Sequence, residues 1–168
     1  MVQQVKEWTH ATIKAAAATR QGAWLFARIG HPLDGAILAA TGGRLSLTKL
    51  LSGIQVVQLT CTGAKSGLPR TLPLGAIIDP FEPQKIALIA SNWGQRKNPA
   101  WYYNLKANPR ATITTDDGRS HEVLAHEAVN GEYERYWTIA NNLHGGYQKY
   151  QERNQQRKIP IMVLEPLV

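Results

Sequence analysis

Cys61 is the only cysteine in 168 residues. A lone cysteine excludes an intrachain disulfide and any zinc site built from cysteines alone, and it fits a reducing cytoplasm. Long apolar runs are missing too. Ile86-Ala87-Leu88-Ile89-Ala90 is typical of the longest, far short of the about 18 residues a membrane-spanning helix needs. The N-terminus carries Lys6, Glu7, His10 and Lys14 but no leucine-rich segment, so no signal peptide is expected. There is no G-x-G-x-x-G and no Walker A spacing, which weighs against a Rossmann site or a P-loop. No internal repeat, Ser-His-Asp set, pair of carboxylates or metal-ligand cluster stands out. Acidic residues are scarce: 12 face 19 basic ones, for a net charge of +7. Partners are therefore expected to be anionic: nucleic acid, a phosphorylated cofactor or an acidic membrane surface. What remains is ordinary globular composition, 43% apolar and 18% charged. A chain this long buries about 70% of its unfolded surface, enough for one core.

Residues 5–29 read as a helix, with four consecutive alanines and a stop at Gly30-His31-Pro32. Lys6, His10, Lys14, Arg20 and Arg28 share one arc, opposite Trp8, Ala15, Thr19, Ala23 and Phe26. This basic amphipathic helix suits packing on its own domain, or lying on anionic lipid. Residues 33–52 add a short helix broken at Gly42-Gly43. From Ile54 the pattern changes. Ile54–Thr62 is β-branched and reads as a strand, Gly63–Gly67 as a tight turn, and Arg70–Asp79 as the second strand of a hairpin. Pro73 marks an edge or a bulge in it. Lys85–Ser91 reads as a strand buried on both faces. Asn98-Pro99 predicts a capped start for a helix over Ala100–Ala107. A second hairpin, Arg110–Thr115 and Arg119–Val129, turns at Asp116-Asp117-Gly118. Glu132–Leu143 is a helix, Tyr147–Arg153 a shorter one, and Ile159–Leu164 a last strand. Six strands in hairpins with short helices between them predict a mainly β fold, a small and mostly antiparallel barrel over residues 31–168 behind an N-terminal helix at 1–30.

Four groups of residues suit chemistry. The Gly63–Gly67 turn, with Lys65, Ser66 and then Arg70, offers backbone N–H groups and charge to a phosphate, as would any solvated basic hairpin tip. Ser91 and Asn92 end a buried strand just before a helix N-terminus flanked by Lys97 and Asn98, a common place for a ligand. Trp101, Tyr102, Trp137, Tyr147 and Tyr150 form an aromatic set. Tyr147 and Tyr150 share a helix face, and their hydroxyls suit orienting or protonating a substrate; core packing is the simpler role for Trp101 and Trp137. His144 sits near these tyrosines, as a proton donor or a helix-end residue. His121 and His126, five apart in one strand, face opposite sides and make poor joint metal ligands.

Three blocks resemble the deazaflavin-dependent nitroreductases. They are Leu59-Thr60-Cys61-Thr62-Gly63-Ala64-Lys65-Ser66-Gly67-Leu68-Pro69-Arg70-Thr71-Leu72-Pro73-Leu74, the stretch from Ala90 to Pro109 containing Ser91-Asn92-Trp93-Gly94 and Asn98-Pro99-Ala100-Trp101-Tyr102, and Tyr147-Gln148-Lys149-Tyr150-Gln151 followed by Arg157–Pro166. The likeness spans residues 54–168. It implies a split β-barrel, usually a homodimer, that binds coenzyme F-420, a deazaflavin with a phosphate and an oligoglutamate tail. Reduced cofactor would deliver hydride to quinones or nitro compounds. Many such proteins are membrane-associated through a basic N-terminal segment, here residues 5–29, at the inner face of the membrane. By position, Lys65 and Arg70 would hold the phosphate and tail. Ser91, Asn92, Ala100 and Trp101 would line the ring, with Pro73 at the rim. Ser91, Tyr147 and Tyr150 would face the acceptor, its proton coming from Tyr147, His144 or water.

The sequence departs from the family pattern at three points. Ala64 stands where the turn usually has Arg, Asn92 where Lys is common, and His144 where some members have a third tyrosine. Two cations are thus missing, which Arg96 or Lys97 would have to replace. The rival reading is a split-barrel protein that holds FMN, haem or a lipid-like ligand without deazaflavin chemistry. Nucleic-acid binding has only the net charge behind it, since base-stacking motifs are absent and the basic residues are dispersed.

Overall fold

A computed structural model describes Ala40 and residues 54–167. The helix expected over residues 5–29 and the broken one over 33–52 lie outside these residues. Six strands form a closed barrel: β1 (Gln55–Thr62), β2 (Pro69–Ile78), β3 (Ile86–Ile89), β4 (Arg110–Thr114), β5 (Ser120–Glu127) and β6 (Ile161–Pro166). The order around the barrel is β1-β2-β3-β6-β5-β4, and every neighbouring pair is antiparallel. Three helices decorate it: α1 (Ala100–Ala107), α2 (Asn130–Leu143) and α3 (Gly146–Arg153).

Both hairpins form where local chemistry demands. The first turn closes with Gly67 N–H donating to Gly63 O, and Gly67 takes φ +66°, a conformation glycine adopts without steric cost. The second closes at Thr115–Arg119, with Gly118 at φ +80°. Strand alternation then sorts side chains onto two cores. Leu59, Leu88, Ile113, Val123, Met162 and Leu164 point inward and fill the barrel, together with Trp101 and Leu105 from α1. Ile77, Ala87, Ile89, Ile161 and Val163 point outward and are covered by Tyr133, Tyr136 and Ala140 of α2 and Tyr147 and Tyr150 of α3. All four residues of β3 are buried, as its unbroken apolar run requires.

Two expectations need correction. The last strand starts at Ile161, not Ile159. The Ile159 N–H goes to Gln151 Oε1 (2.8 Å), and the Pro160 carbonyl takes the Ala90 N–H (2.9 Å), so this stretch is tied to neighbours outside the ladder. Asn98 does not cap α1: Pro99 holds the cap position, and no side chain bonds the free N–H groups there.

Candidate active-site cleft

Among the described residues Pro73 pairs with β1 alone. β2 pairs with β1 from Pro69 to Ala76, but with β3 only from Ala76 to Ile78. Among the described residues no strand pairs with the outer edge from Pro69 to Gly75. After Ile89 the chain leaves the sheet and runs through residues 91–98 to the start of α1. At about 3.3 Å per residue, Arg70 and Gly75 are roughly 17 Å apart along the strand. That length matches an elongated ligand with a charged end.

The charged end is the hairpin tip. Its Ala64 N–H donates to Asn104 Oδ1 (3.0 Å), which docks the tip on α1. Lys65 and Arg70 are exposed. The Ser66 hydroxyl folds inward instead: Leu68 N–H donates to Ser66 Oγ (3.3 Å), and a Cβ on Gly63 would stand 2.7 Å from that oxygen. A side chain at Gly63 would make Ser66 Oγ move and would press on the Leu68 carbonyl at 3.2 Å. Arg96 and Lys97 are exposed on the loop before α1. Among the described residues none of Lys65, Arg70, Arg96 and Lys97 pairs with a carboxylate, whereas Lys85, Lys106, Arg119, Arg135 and Lys158 all do. Exposed cations without a carboxylate partner among the described residues are suited to an anion.

The loop wall is unusual. Ser91 is right-handed (φ −66°), then Asn92 (φ 47°), Trp93 (φ 56°) and Gly94 (φ 77°) are all left-handed. Asn tolerates this region but a bulky Trp does so rarely, at a cost of about 1–3 kcal/mol. A lysine at position 92 would bear more of that strain than Asn does. Asn92 also uses its side chain within the loop, with Nδ2 donating to Lys97 O (2.8 Å). Gly94 backs onto Tyr150, where a Cβ would lie 3.4 Å from its Cα. At the start of α1, Ala100 is exposed while Trp101 turns into the barrel interior. The Oδ1 of Asn98 is buried and meets no donor among the described residues.

The aromatic wall comes from α3. Tyr147 and Tyr150 stand edge-on at 6.3 Å, with His144 5.3 Å from Tyr147 and 6.4 Å from Tyr150, and Trp93 6.3 Å from Tyr150. The Tyr147 hydroxyl reaches β2: a Cβ on Gly75 would lie 3.9 Å from it. Burial drives the Tyr147 pKa strongly upward and pushes Tyr150 up to about 12, so both hydroxyls keep their protons throughout the physiological range. Trp137 stacks on Tyr133, and Tyr102 donates to Glu127 Oε2 (3.0 Å), so both stand apart from this wall. His126 meets Glu132 (3.0 Å) at the start of α2. Buried Cys61 has its thiol pushed up by desolvation and is no nucleophile.

The residues that hold the loop were not among the expected site residues. Arg157 and Asn154 donate to its carbonyls, and Asn104 holds the tip. Only their place within family-like blocks hinted at a role for Arg157 and Asn104.

The buried tyrosines predict alkaline instability. Burial first, aided by nearby acids, pushes Tyr102 and Tyr133 up to about 12 as well, against about 10 when unfolded. Folding then favours the protonated phenols. That contribution is full below pH 10 and lost as pH rises to 12, where the unfolded chain binds fewer protons. The urea midpoint is expected to fall steeply between pH 10 and 12; a flat profile there would contradict the burial.

A closed, six-stranded antiparallel barrel with a pair of tyrosines packed on its outer face defines the class by its fold, a small β-barrel protein. Comparison with known proteins gives the family. The family model for F420H(2)-dependent quinone reductase matches residues 33–166. An F420H(2)-dependent quinone reductase of Mycobacterium tuberculosis is 34% identical over 149 residues, 84% of this chain and 95% of that one. A solved structure of an F420-H2 dependent reductase, FDR-A, superposes with a TM-score of 0.58 at 34% identity, covering 66% of this chain and 94% of its own. Another, described as a domain-swapped dimer, gives 0.59 at 35% identity over 66% and 80%. The chain belongs to the F420H(2)-dependent quinone reductase family, and it is an oxidoreductase whose cofactor is coenzyme F-420.

Proposed function

We propose that this cleft binds reduced coenzyme F-420 along the outer edge of β2 and passes hydride to a quinone. The observation that carries the reading is that Lys65, Arg70, Arg96 and Lys97 are exposed with no carboxylate partner among the described residues, while the Tyr147 hydroxyl reaches β2 at Gly75. Lys65 and Arg70 would hold the phosphate and tail, with Arg96 and Lys97 standing in for the cations absent at Ala64 and Asn92. Pro73, Ser91, Asn92 and Ala100 would border the ring, and Asn98 Oδ1 is an acceptor available to one of its N–H groups. Ser66 and Trp101 would support the site from behind, in the turn and the barrel interior. When bound, the reduced deazaflavin supplies a hydride. The quinone gains that hydride and one proton to become a hydroquinone. Tyr147 is placed to donate the proton or hold the developing oxyanion, with Tyr150, Ser91 and His144 shaping the acceptor's side. Nitroaromatics would be accepted on the same terms. FMN, haem or a lipid-like ligand is the less favoured occupant.

The proposal extends to a homodimer, because one related structure is described as a domain-swapped dimer. It also keeps residues 1–30 as a basic helix separate from the barrel over 31–168, touching the cytoplasmic face of the membrane. Among the described residues no helix is long and apolar enough to cross a membrane.

Titration with oxidised coenzyme F-420, followed by tryptophan fluorescence, tests the site. Trp93 lies in the loop wall and should respond. Wild type is expected to bind at micromolar concentration, and Lys65→Ala and Arg70→Ala each to weaken binding about tenfold or more, the value of a charge-assisted hydrogen bond. Unchanged affinity in both variants would remove the phosphate assignment. Binding of FMN in place of the deazaflavin would favour the rival occupant.

A further inference from the structure

Arg157 is half-buried between α3 and β6, and its guanidinium meets only carbonyl oxygens. Nη1 donates to Ala90 O (3.3 Å), Nη2 to Ser91 O (3.0 Å) and Gln95 O (3.1 Å), and Nε to Gln95 O (3.3 Å). Among the described residues no carboxylate pairs with it. Asn154, 4% exposed, adds a bond from Nδ2 to Gln95 O (2.7 Å). Gln151 steadies both by donating from Nε2 to Asn154 O (3.2 Å) and Arg157 O (2.8 Å), while its Oε1 accepts from Ile159 N–H. The three gripped carbonyls bracket the left-handed residues Asn92 to Gly94. Strain of that kind persists only where the surroundings over-determine it. Desolvation, opposed in part by Tyr103, pulls the Arg157 pKa down, so the cation is held among the carbonyls at a cost in hydration.

We propose that Arg157 is the positioning residue of the cofactor-facing turn: by gripping the Ala90, Ser91 and Gln95 carbonyls it holds Ser91 and Asn92 in their binding geometry and locks them to the helix that carries Tyr147 and Tyr150. The proposal rests on the reading above that this turn borders the cofactor. It uses what distinguishes Arg from Lys. A planar fork with five N–H donors spans three acceptors, whereas an ammonium is a point charge on a flexible stem. The grip also joins the two halves of the site, since its anchor follows directly from α3 while its targets follow from β3.

The test uses the full chain with Arg157→Gln and Arg157→Lys. The second keeps charge and stem and serves if the first does not fold. Amide hydrogen exchange of the protein alone is measured at Gly94 and Gln95 and, as reference, at Ala87 and Leu88. Exchange in the turn is expected to rise at least tenfold in both variants while β3 stays unchanged. The Kd for oxidised coenzyme F-420 and the KM for the reduced form should rise at least tenfold, with kcat falling less. A purely structural role would instead lower the melting temperature and speed exchange in β3 as well. Unchanged exchange in the turn overturns the proposal, and so does faster exchange with unchanged cofactor affinity. A wild type that binds no deazaflavin overturns the cofactor reading instead, and the exchange measurement then decides alone whether Arg157 holds the turn.

Discussion

Replacing Tyr147 with Phe is expected to lower turnover with reduced coenzyme F-420 and a quinone about a hundredfold, with little change in KM for the cofactor. A positioned proton donor contributes roughly 10²–10⁴-fold, and the lower end suits a phenol whose pKa burial has raised, because such a group is a reluctant acid. Its raised pKa also sets the sign of the pH dependence. The hydroxyl stays protonated well above pH 10, so this residue should impose no alkaline fall in kcat below that point. Tyr147→Phe removes one oxygen from a side chain 8% exposed and leaves the ring packed against His144 and Tyr150. Folding should survive, and the loss can be read as chemistry. Tyr150→Phe should cost less, since Tyr150 is chiefly the surface on which Gly94 and Trp93 rest. Stopped-flow oxidation of the reduced cofactor would separate the two variants. Equal losses in both, or none in Tyr147→Phe, would leave His144 or water as the donor.

Leu88→Ala should produce the largest loss of stability. Leu88 is fully buried in β3, paired with Ala76 on β2 and Met162 on β6, and its side chain lies in the barrel interior. Truncation removes apolar burial and leaves a cavity that strands on both sides prevent from collapsing. Such changes cost about 2–5 kcal/mol. The melting temperature should fall by roughly 2–4 °C per kcal/mol for a chain of this size, or about 10 °C in all. Calorimetry would check it. Leu124→Ala makes the control, because Leu124 is 42% exposed on β5 and its truncation should change stability little. Similar losses in the two variants would mean that the barrel interior is not the main core.

Much of the fold was legible because it follows from local rules. Gly63–Gly67 and Asp116-Asp117-Gly118 needed glycines at positive φ, and both hairpins formed there. The unbroken apolar run in β3 required cover on both faces, and barrel and helices supply it. Pro73 required an edge or a bulge, and among the described residues it pairs with β1 alone. Tyr147 and Tyr150, three apart, had to share a helix face, and His144 did join them. The three family-like blocks placed the hairpin tip, the loop and α3 together before any contact was known.

Other features came from contacts that local patterns do not encode. Asn98-Pro99 has the chemistry of a cap, yet Asn98 is turned away from the helix end and its Oδ1 is buried. Ser66 also accepts from the Leu68 N–H within its own turn, a contact its residue type alone did not indicate. Trp101 faces the barrel interior because closure makes a core that its helix plugs. Arg157 reaches Ser91 across 66 positions of sequence, and no periodicity points to it. By itself the sequence determined the strands, the turns, the charge balance and the family, because backbone preference, side-chain alternation and composition act over a few neighbours. Which cations lack a carboxylate partner among the described residues, which face each aromatic takes, and what holds the loop in its left-handed form emerge only on folding, because each depends on groups brought together when the barrel closes.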